Sequence, residues 1–468
     1  MNNSLQRITR SDKTNNLLKT AAFISLFAVI LLVLIRVLRL KDDGYSVKVF
    51  EDFYSLPDNT VDAVFIGSSG VREYYIAAEG YHHRGISVYP LSTSHQPMEA
   101  AKYLIKEAEK TQDPKLYLID IRAMYSSPNS ESEIRKVTDA MRPSLNRVAA
   151  VNELLDRYET ITGEHPDKLS HLFNFFLYHS SWKDLDQENF SEPKCWLGYS
   201  IYDNVDVLPV PDNMNDLTST EPLDENMQSI LEDLLDFCET LGKKVVFTCQ
   251  PAFYDDEQKR VINEAAKIIR SRGFEYFDLN PLYNEIGLDH ETDMKDPEHV
   301  NVYGALKYTD YFSDFLADRF GLPDHRGEEG YEQWNSAYLE MSEELLNGRD
   351  VLSRYNMILH RYVDHTVITT IQDTLASAVL IDNGLQRFHA VTQTENDDIY
   401  YSGVSNNGTQ LSIECSPLSQ GGRSVISIDG KVFQSEGARQ HFVVYDCDRN
   451  HLIDHACFDE EGHRIEPD

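Results

Sequence analysis

A serine, an aspartate and a histidine have the types and the spacing that nucleophilic chemistry requires. Ser69 follows the apolar run Ala63–Ile66 and Gly67, whereas Asp296 and His299 occur much later, in the segment DPEHVNVYGALKYTDYF. A serine hydroxyl becomes a good nucleophile when a neighbouring base accepts its proton. Histidine suits that task near neutral pH, and a carboxylate three residues away can orient the imidazole and stabilise its cation. These residues therefore predict a nucleophile, an orienting acid and a base in the order Ser, Asp, His.

Each of these signals also has an ordinary structural alternative. A serine after a strand is often a turn or helix-capping residue, which applies to Ser68 as well as Ser69. His299 is equally consistent with a capping or core histidine. Arg72, one turn after Ser69, suits either an anionic substrate group or an ion pair with a nearby acid. What favours chemistry is the placement of Ser69 after the first strand and of His299 before the last helix of one alternating pattern.

Strands alternate with helices between residues 60 and 325, a pattern typical of a parallel sheet covered by helices on both faces. The predicted strands are Val61–Ile66, Ile86–Leu91, Leu116–Ile121, Lys244–Cys249 and Glu275–Leu279. The predicted helices are Gln96–Lys110, Leu223–Leu241, Asp256–Arg272 and Gly304–Phe320. A long aromatic insertion, Glu131–Leu208, interrupts the pattern. Because the carboxyl ends of parallel strands share one edge, Ser69 is expected where such sheets bind ligands.

An apolar segment near the N-terminus, residues 20–40, is long enough to cross a bilayer as a helix. Charged residues follow it rather than a small-residue cleavage site, which favours a retained anchor over a cleaved signal peptide. Residues 1–41 have a net charge of +6, whereas the remainder carries 36 basic and 76 acidic residues, a net of −40. We therefore expect a single-pass cell-membrane protein with a cytoplasmic segment 1–19, a stalk 41–59 and an exported body. So acidic a body disfavours nucleic-acid binding.

Beyond Leu322 the pattern changes to helices and then to short strands. We expect a helical linker, 326–351, and a β-rich domain, 352–468, with a hairpin turn at Asp429-Gly430. The six cysteines show no CxxC pair and no metal-ligand spacing, so no metal or cofactor is predicted. For Cys447 and Cys457, a disulfide across the final hairpin and separate thiols both stay open, and separate thiols are favoured.

Residues 60–325 resemble the SGNH (GDSL-type) hydrolase superfamily. The Gly-Asp-Ser block of that family matches Gly67-Ser68-Ser69, and its Asp-x-x-His block matches Asp296 and His299. The segments FIGSSGVR, LYLIDIR, YHSSWKDL and DPEHVNVYGALKYTDYF resemble a bacterial subgroup of membrane-anchored proteins. That subgroup is similar to accessory proteins of cell-envelope polysaccharide acylation, which typically act beside a membrane-bound O-acyltransferase.

The resemblance implies a three-layer α/β/α fold and a serine esterase or O-acyltransferase without a cofactor. It implies Ser69 as nucleophile, His299 as base and Asp296 as the acid that orients His299. The implied partners are a cell-surface polysaccharide or its acyl donor, and a membrane-bound O-acyltransferase. The alternative is a non-catalytic polysaccharide-binding or scaffold protein that partners such an acyltransferase.

Two blocks of the superfamily are not recognisable. LSTSHQP, Leu91–Pro97, stands where the oxyanion glycine is expected, and LIDIRAMY, Leu118–Tyr125, stands where the asparagine block is expected. An oxyanion hole can be built from backbone N–H groups and other side chains. We expect the Ser69 amide to serve, with oxyanion and substrate contacts from Ser68, Ser94, Gln96 and Arg72. Gln96 has the alternative of being an N-terminal helix residue, and Trp182 and His179 could line a sugar groove, although core packing is favoured for Trp182.

The segments GRSVISIDGKVF and HFVVYDCDRNHLIDHACFD resemble the interleukin-like EMT-inducer domain, whose pattern has a hairpin ending in Phe-Asp, matched by Phe458-Asp459. A related module forms the carbohydrate-binding stem of a protein O-mannose N-acetylglucosaminyltransferase. The resemblance implies a compact β-rich domain that binds glycans. A structural or oligomerising module is an equal alternative.

Overall fold

The chain divides into two units, Met1–His325 and Arg326–Asp468. The structure, a computed structural model, describes residues 10–38, 44–125, 130–185, 187–191, 193–209, 217–359, 361, 365–372, 376–382, 385–387, 392–393, 398–404 and 408–467. The first unit contains all the residues predicted to carry chemistry.

Helices of the first unit fall before, between and after the strands of its sheet. They are α1 Arg10–Leu38, α2 Gly44–Ser55, α3 Ser69–Arg72, α4 Ala77–Arg84, α5 Ala101–Ala108, α6 Glu131–Thr138, α7 Leu145–Thr162, α8 Lys168–Leu172, α9 Phe175–Tyr178, α10 Glu225–Thr240, α11 Asp256–Ser271, α12 Tyr283–Ile286 and α13 Val302–Phe320.

The centre of this unit is a parallel sheet. Its strands are β1 Ala63–Gly67, β2 Val88–Ser92, β3 Leu116–Asp120, β4 Lys244–Cys249 and β5 Glu275–Asp278, in the spatial order β2-β1-β3-β4-β5. A separate antiparallel ribbon joins β6 Met294–Asp296 and β7 His299–Val300. The strand order reverses between β1 and β3, and at such a switch point the crevice beyond the carboxyl ends of the strands is the usual ligand site of an open α/β sheet.

Helices cover both faces of the sheet, which confirms the predicted α/β class. Every residue of β1, β2 and β3 is buried, as strands packed on both sides require. The connection from β1 to β2 runs opposite to the later connections, so right-handed crossovers place α4 on one face and α5, α10 and α11 on the other. Accordingly, α4 packs against α13, and α5 packs against α10.

The observed elements differ from the predicted ones mainly at their ends. Strand β4 has the predicted bounds, and the other strands of the sheet shift by at most two residues at either end. The predicted helix Gln96–Lys110 begins instead as a 3₁₀ turn at Met98 and becomes α-helical at Ala101. Capping side chains fix the N-terminal ends of some helices. Asp255 forms a capping box with Gln258 at α11, and Asn301 caps α13.

Residues 41–59 were predicted to be a stalk, and this prediction is wrong for most of the segment. Gly44–Ser55 forms the helix α2, whose Val49, Phe50 and Phe53 are buried in the first unit. The ring of Phe53 lies 5.1 Å from that of Tyr89 on β2, and the Tyr89 hydroxyl donates to the Val49 carbonyl at 2.6 Å. The helix is amphipathic, and burial of its apolar side stabilises it against the sheet.

Helix α1 contains one stretch, Asn15–Leu38, that is long and apolar enough to cross a membrane. Its side chains are mostly exposed, as expected for a helix whose natural solvent is lipid. This agrees with a single-pass membrane protein.

The second unit begins with α14 Glu332–Asn347 and α15 Leu352–Leu359 and continues as two antiparallel sheets. One sheet has the order β10 Leu385–Arg387, β9 Ala376–Asp382, β8 Thr366–Gln372, β16 Gln440–Asp446, β17 His451–Phe458 and β18 Arg464–Ile465. The other runs in sequence through β11 Thr392–Gln393, β12 Ile399–Val404, β13 Gln410–Cys415, β14 Ser424–Ile428 and β15 Lys431–Ser435. Ile368 and Val443 of the first sheet share a core with Ile413 and Ile426 of the second, as in a β-sandwich.

The six cysteines are not joined by disulfides. In the final hairpin, Cys457 lies opposite His441, whereas Cys447 follows the pair Asp446 and His451 at the turn. The two sulfur atoms therefore lie at different ends of the hairpin, and the alternative of a disulfide between them is wrong.

Replacing Phe53 by alanine tests whether α2 is a packed part of the first unit. We expect Phe53→Ala to lower the free energy of unfolding by about 3–5 kcal/mol, because it leaves a cavity against Tyr89. Thermal unfolding of the full chain in detergent measures the loss. Leu145→Ala, at a side chain that is 88% exposed, is the control and leaves the transition unchanged. Equal transitions for the two variants would contradict the packing.

Candidate active site

The end of β1 places Ser69 at the carboxyl edge of the sheet. Ser68 has an extended backbone without a side-chain capping bond, and Ser69 is the first residue of α3. Gly67 allows β1 and β3 to approach closely, because a Cβ atom there would lie 2.8 Å from the Cβ atom of Asp120. The serine hydroxyl is thus presented at the switch point between the two strands.

Asp296 and His299 face each other across a short hairpin rather than lying on a helical turn. They pair in register between β6 and β7, with Pro297 and Glu298 at the turn. The Glu298 amide donates to Asp296 Oδ1 at 2.9 Å, which closes the turn. The hairpin brings the carboxylate and the imidazole side by side before α13 begins.

The structure brings the three predicted side chains together. His299 Nε2 lies 2.7 Å from Ser69 Oγ, and His299 Nδ1 lies 2.8 Å from Asp296 Oδ1 and 3.0 Å from Oδ2. These are hydrogen-bond distances between residues that are 230 positions apart in the chain. With Nδ1–H donating to the carboxylate, Nε2 keeps the lone pair that can accept the serine proton.

Helix α13 and its cap hold the hairpin in place. The Asn301 side chain accepts from the amides of Tyr303 and Gly304, while its Nδ2 donates to the Thr292 carbonyl at 2.8 Å. A Cβ atom at Gly304 would lie 2.6 Å from the Asp293 carbonyl oxygen, so glycine permits the helix to approach the ribbon. The backbone around His299 is therefore held by the Asn301 side chain and by the close packing at Gly304.

Arg122 is a fourth member of the site and was not predicted from the sequence. It follows β3, the neighbour of β1, and its Nη2 lies 3.2 Å from Ser69 Oγ and 3.1 Å from His299 Nε2. Its Nη1 donates to the Glu298 carbonyl at 2.5 Å. The guanidinium also packs on Gly70, where a Cβ atom would lie 2.5 Å from Arg122 Cζ. The detectable signal was an arginine just past a buried strand at the switch point.

Opposite charges flank the imidazole. Partial burial would raise the pKa of Asp296, but the hydrogen bond and charge of His299 lower it to about 2. The carboxylate is therefore ionised at neutral pH and stabilises a positive charge on His299. The charge of Arg122 acts in the opposite sense on the imidazolium, but it favours negative charge on Ser69 Oγ. The two flanking charges thus favour transfer of the proton from the serine only while Asp296 is ionised.

The other predicted contact residues have more local partners. Arg72 is buried, and its Nη2 lies 3.3 Å from Glu73 Oε1 and donates to Ser94 Oγ at 2.9 Å. Of the two uses open to Arg72, the structure shows the ion pair. Gln96 Oε1 accepts from the Thr93 amide at 3.1 Å and so closes a loop. None of these hydrogen bonds of Arg72, Ser94 and Gln96 involves Ser69 Oγ.

A small pocket lies beside Ser68. Its walls include Ile66, Gln96, Met98 and Ile119, and Asp120 closes one side. Burial raises the pKa of the Asp120 carboxyl to about 6, although the charge of Arg122 opposes the rise. The pocket has both apolar and polar walls and adjoins the serine loop.

Core packing was favoured for Trp182, and this expectation is wrong: the side chain is 62% exposed. His179 is also exposed. Both belong to the aromatic insertion, which presents part of its apolar surface outward instead of burying it.

No protein-family model and no curated protein matches the chain. Among solved structures, a gut microbial diltiazem-metabolizing enzyme matches with a TM-score of 0.27 and 12% sequence identity, over 55% of this chain and 48% of that chain. The chain thus spans about half the length of that structure, and so low a score does not indicate a shared fold or activity.

The substitution Asp120→Asn tests the raised pKa of the buried carboxyl group. Between about pH 4 and pH 6 the unfolded chain releases the Asp120 proton while the folded chain retains it, so stability falls as the pH rises through this window. Asp120→Asn does not ionise. We expect it to stabilise the protein by at most about 3 kcal/mol above pH 6 and to have no such effect below about pH 4.

Thermal unfolding at about pH 4 and about pH 8 measures the difference. Asp58→Asn, at an exposed aspartate, is the control and changes stability equally at both pH values. A stabilisation by Asp120→Asn that does not depend on pH would contradict the raised pKa.

Proposed function

We propose that the protein is a membrane-anchored serine esterase or O-acyltransferase that acts on a cell-surface polysaccharide. The observation that carries the proposal is the hydrogen-bonded series Ser69 Oγ, His299 Nε2, His299 Nδ1 and Asp296, with distances of 2.7 and 2.8 Å. A nucleophile, a base and an orienting acid in this arrangement are the equipment of acyl transfer.

In the first half-reaction, His299 Nε2 accepts the proton of Ser69 as Oγ attacks the carbonyl carbon of an acyl ester. The tetrahedral intermediate collapses when the imidazolium returns the proton to the leaving alcohol. In the second, His299 deprotonates water or a sugar hydroxyl, which attacks the acyl-serine and releases Ser69. Asp296, ionised at neutral pH, stabilises the imidazolium in both halves.

Arg122 is proposed to replace the asparagine of the superfamily. Its guanidinium, 3.2 Å from Ser69 Oγ, lies next to the place where the ester carbonyl binds for attack, and its charge stabilises the negative charge that develops on the carbonyl oxygen. The backbone N–H of Ser69, predicted from the sequence to contribute to the oxyanion hole, is the second proposed donor.

The order of elements supports the SGNH-like assignment. The nucleophile follows the first strand of a parallel sheet, and the acid and base lie directly before the last helix of the unit.

The proposed location is the outer side of the cell membrane, with the acidic body exported and the N-terminus in the cytoplasm. Helix α1 supports the anchor, and a net charge of −40 beyond residue 41 supports a soluble body that does not bind an anionic membrane by charge. A membrane-bound O-acyltransferase is the proposed donor of acyl groups if transfer rather than hydrolysis dominates.

A fluorophosphonate probe tests the nucleophile directly. We expect wild type to be labelled, and Ser69→Ala and His299→Ala to lose labelling, because the serine is either absent or not activated. Ser94→Ala, which removes a hydroxyl bonded to Arg72, is the matched control and keeps the label. Equal labelling of wild type and Ser69→Ala, or none of the wild type, would contradict the enzymatic role.

Lysine and methionine at position 122 test the proposed oxyanion contact. We expect Arg122→Met to lower kcat by about 10²–10³-fold, with a smaller change in KM, because the lost contact acts mainly in the transition state. Arg122→Lys keeps the charge but not the two-pronged geometry and is expected to recover part of the loss. Hydrolysis of an activated short-chain ester gives both constants, and thermal unfolding verifies the fold. Wild-type kcat in Arg122→Met would contradict the assignment.

A further inference from the structure

We propose that the second unit contains a zinc site formed by His441, His455 and Cys457. The three residues lie on adjacent antiparallel strands. His441 on β16 is directly opposite Cys457 on β17, and His455, two residues before Cys457, is on the same face. Their ligand atoms all lie within 4.8 Å of one another. Residues 441 and 455 are too far apart in the sequence to form a local metal-binding motif. Strand pairing brings the ligands together.

Hydrogen bonds fix His441 in the form that a metal ligand needs. Its Nδ1 lies 2.8 Å from Ser424 Oγ, which lies 2.7 Å from Thr370 Oγ1. With the Gln372 amide nitrogen donating to the Arg439 and Ala438 carbonyls, its oxygen accepts from Thr370 Oγ1 at 2.7 Å. With the proton of His441 on Nδ1, each donor in this series has an acceptor: Nδ1–H donates to Ser424 Oγ, the Ser424 hydroxyl donates to Thr370 Oγ1, and the Thr370 hydroxyl donates to the Gln372 oxygen. The lone pair of Nε2 therefore points away from the series and toward His455.

The two imidazoles meet through their remaining nitrogens. His441 Nε2 lies 2.8 Å from His455 Nε2, so without an ion His455 donates its Nε2–H to His441. Tetrahedral zinc with Zn–N bonds of about 2.0–2.1 Å separates two ligand nitrogens by roughly 3.3 Å, so the rings need to part by roughly 0.5 Å. His455 is half-buried and can make this adjustment, whereas His441 is fully buried.

The chemistry of this ligand set favours zinc over calcium or magnesium. Two neutral imidazoles and one thiolate are borderline to soft donors, and the hard cations prefer oxygen. Three protein ligands leave a fourth position for water or for another ligand. On binding, the Cys457 thiol loses its proton to solvent and His455 exchanges the proton on Nε2 for one on Nδ1. Each ion bound therefore releases one proton.

Cobalt(II) replaces zinc as a spectroscopic probe in the full, reduced, metal-stripped chain. We expect one Co²⁺ per chain, with tetrahedral visible bands and a thiolate-to-cobalt charge-transfer band, both abolished by added Zn²⁺. Cys457→Ser removes the charge-transfer band, and Cys447→Ser, in the turn of the same hairpin, is the matched control and keeps it. Ser424→Ala keeps the ligands and is expected to weaken binding by about 10–100-fold, because the bond that orients His441 is lost.

His455→Gln covers the case in which the buried variants do not fold, since His455 is half-exposed. We expect it to fold and to bind Co²⁺ at least about tenfold more weakly. The proposal is overturned if wild type shows no thiolate-to-cobalt band, or if Cys457→Ser and Cys447→Ser give the same spectrum.

A separate observation concerns the surface next to α1. We infer that an apolar patch of the insertion lies in the lipid headgroup region of the bilayer. Its exposed members are Phe173, Leu177, Trp182, Leu185 and Phe190. Phe190 is 70% exposed and Trp182 is 62% exposed, which is unusual for such large apolar side chains in contact with water.

Two segments of the insertion that carry residues of the patch contact the apolar helix. Asn189 Nδ2 donates to the Val37 carbonyl at 2.9 Å, and both α9 and the turn Gln187–Phe190 pack against α1. Val37 is next to the last residue of the apolar stretch, so these contacts place the patch where a spanning helix leaves the hydrocarbon. Tryptophan and phenylalanine with a neighbouring lysine, here Lys183, are typical of that depth. The lipid interface is therefore the occupant that the structure favours.

Tryptophan fluorescence tests this inference, which depends on α1 crossing the bilayer. The chain has three tryptophans, and Trp196 and Trp334 are buried, so lipid contact reports mainly on Trp182. In vesicles of brominated lipid we expect quenching relative to unbrominated vesicles, and Trp182→Phe removes this difference. If the protein inserts into the vesicles and is not quenched, the inference is overturned and a protein partner for the patch is indicated. If the protein does not float with the vesicles, α1 is not an anchor and the inference is overturned as well.

Discussion

The guanidinium of Arg122 is the contact on which the arrangement of the site depends. It touches the serine at the end of β1, the imidazole of the hairpin and the carbonyl at the turn of that hairpin. A buried cation is costly unless it is hydrogen-bonded and paired with negative charge. Here it has several acceptors, and the carboxyl group of Asp120 lies close enough to feel its charge, so its burial is compensated. The same requirement forces three distant parts of the chain to converge.

Glycine is needed where these parts touch. At Gly67 the strands approach, at Gly70 the guanidinium packs on the backbone, and at Gly304 the last helix meets the ribbon. None of these positions has a positive φ, so the need is for space and not for an unusual conformation. A side chain at Gly67 or Gly304 would meet backbone or Cβ atoms that cannot move away independently. The site is therefore set by backbone packing as well as by polar contacts.

Local patterns were sufficient to predict much of the first unit. The β-branched run KVVFTC gave strand β4 with its correct bounds, and the convergence of Ser69 and His299 followed from where the strands and the last helix fall. Arg122 was missed because the direction of a side chain beyond a strand depends on its neighbours in space. Helix α2 was mistaken for a stalk because charged and polar residues alternate with Val49, Phe50 and Phe53, whose burial depends on Tyr89 of a strand that comes later in the chain. The histidine and cysteine cluster likewise depends on strand register, which short motifs do not encode.

The insertion has one further role that follows from two of its contacts. It bonds to α1 through Asn189, and near its C-terminal end the Asp206 amide donates to the Met294 carbonyl of the hairpin at 2.8 Å. The Val302 amide, at the start of α13, donates to Tyr202 of the same segment at 2.6 Å. The insertion therefore links α1 to the hairpin that carries His299, and these contacts fix the distance between α1 and Ser69. If α1 crosses a bilayer and Ser69 acts on a polymer as proposed, the polymer is modified at a constant distance from the membrane surface.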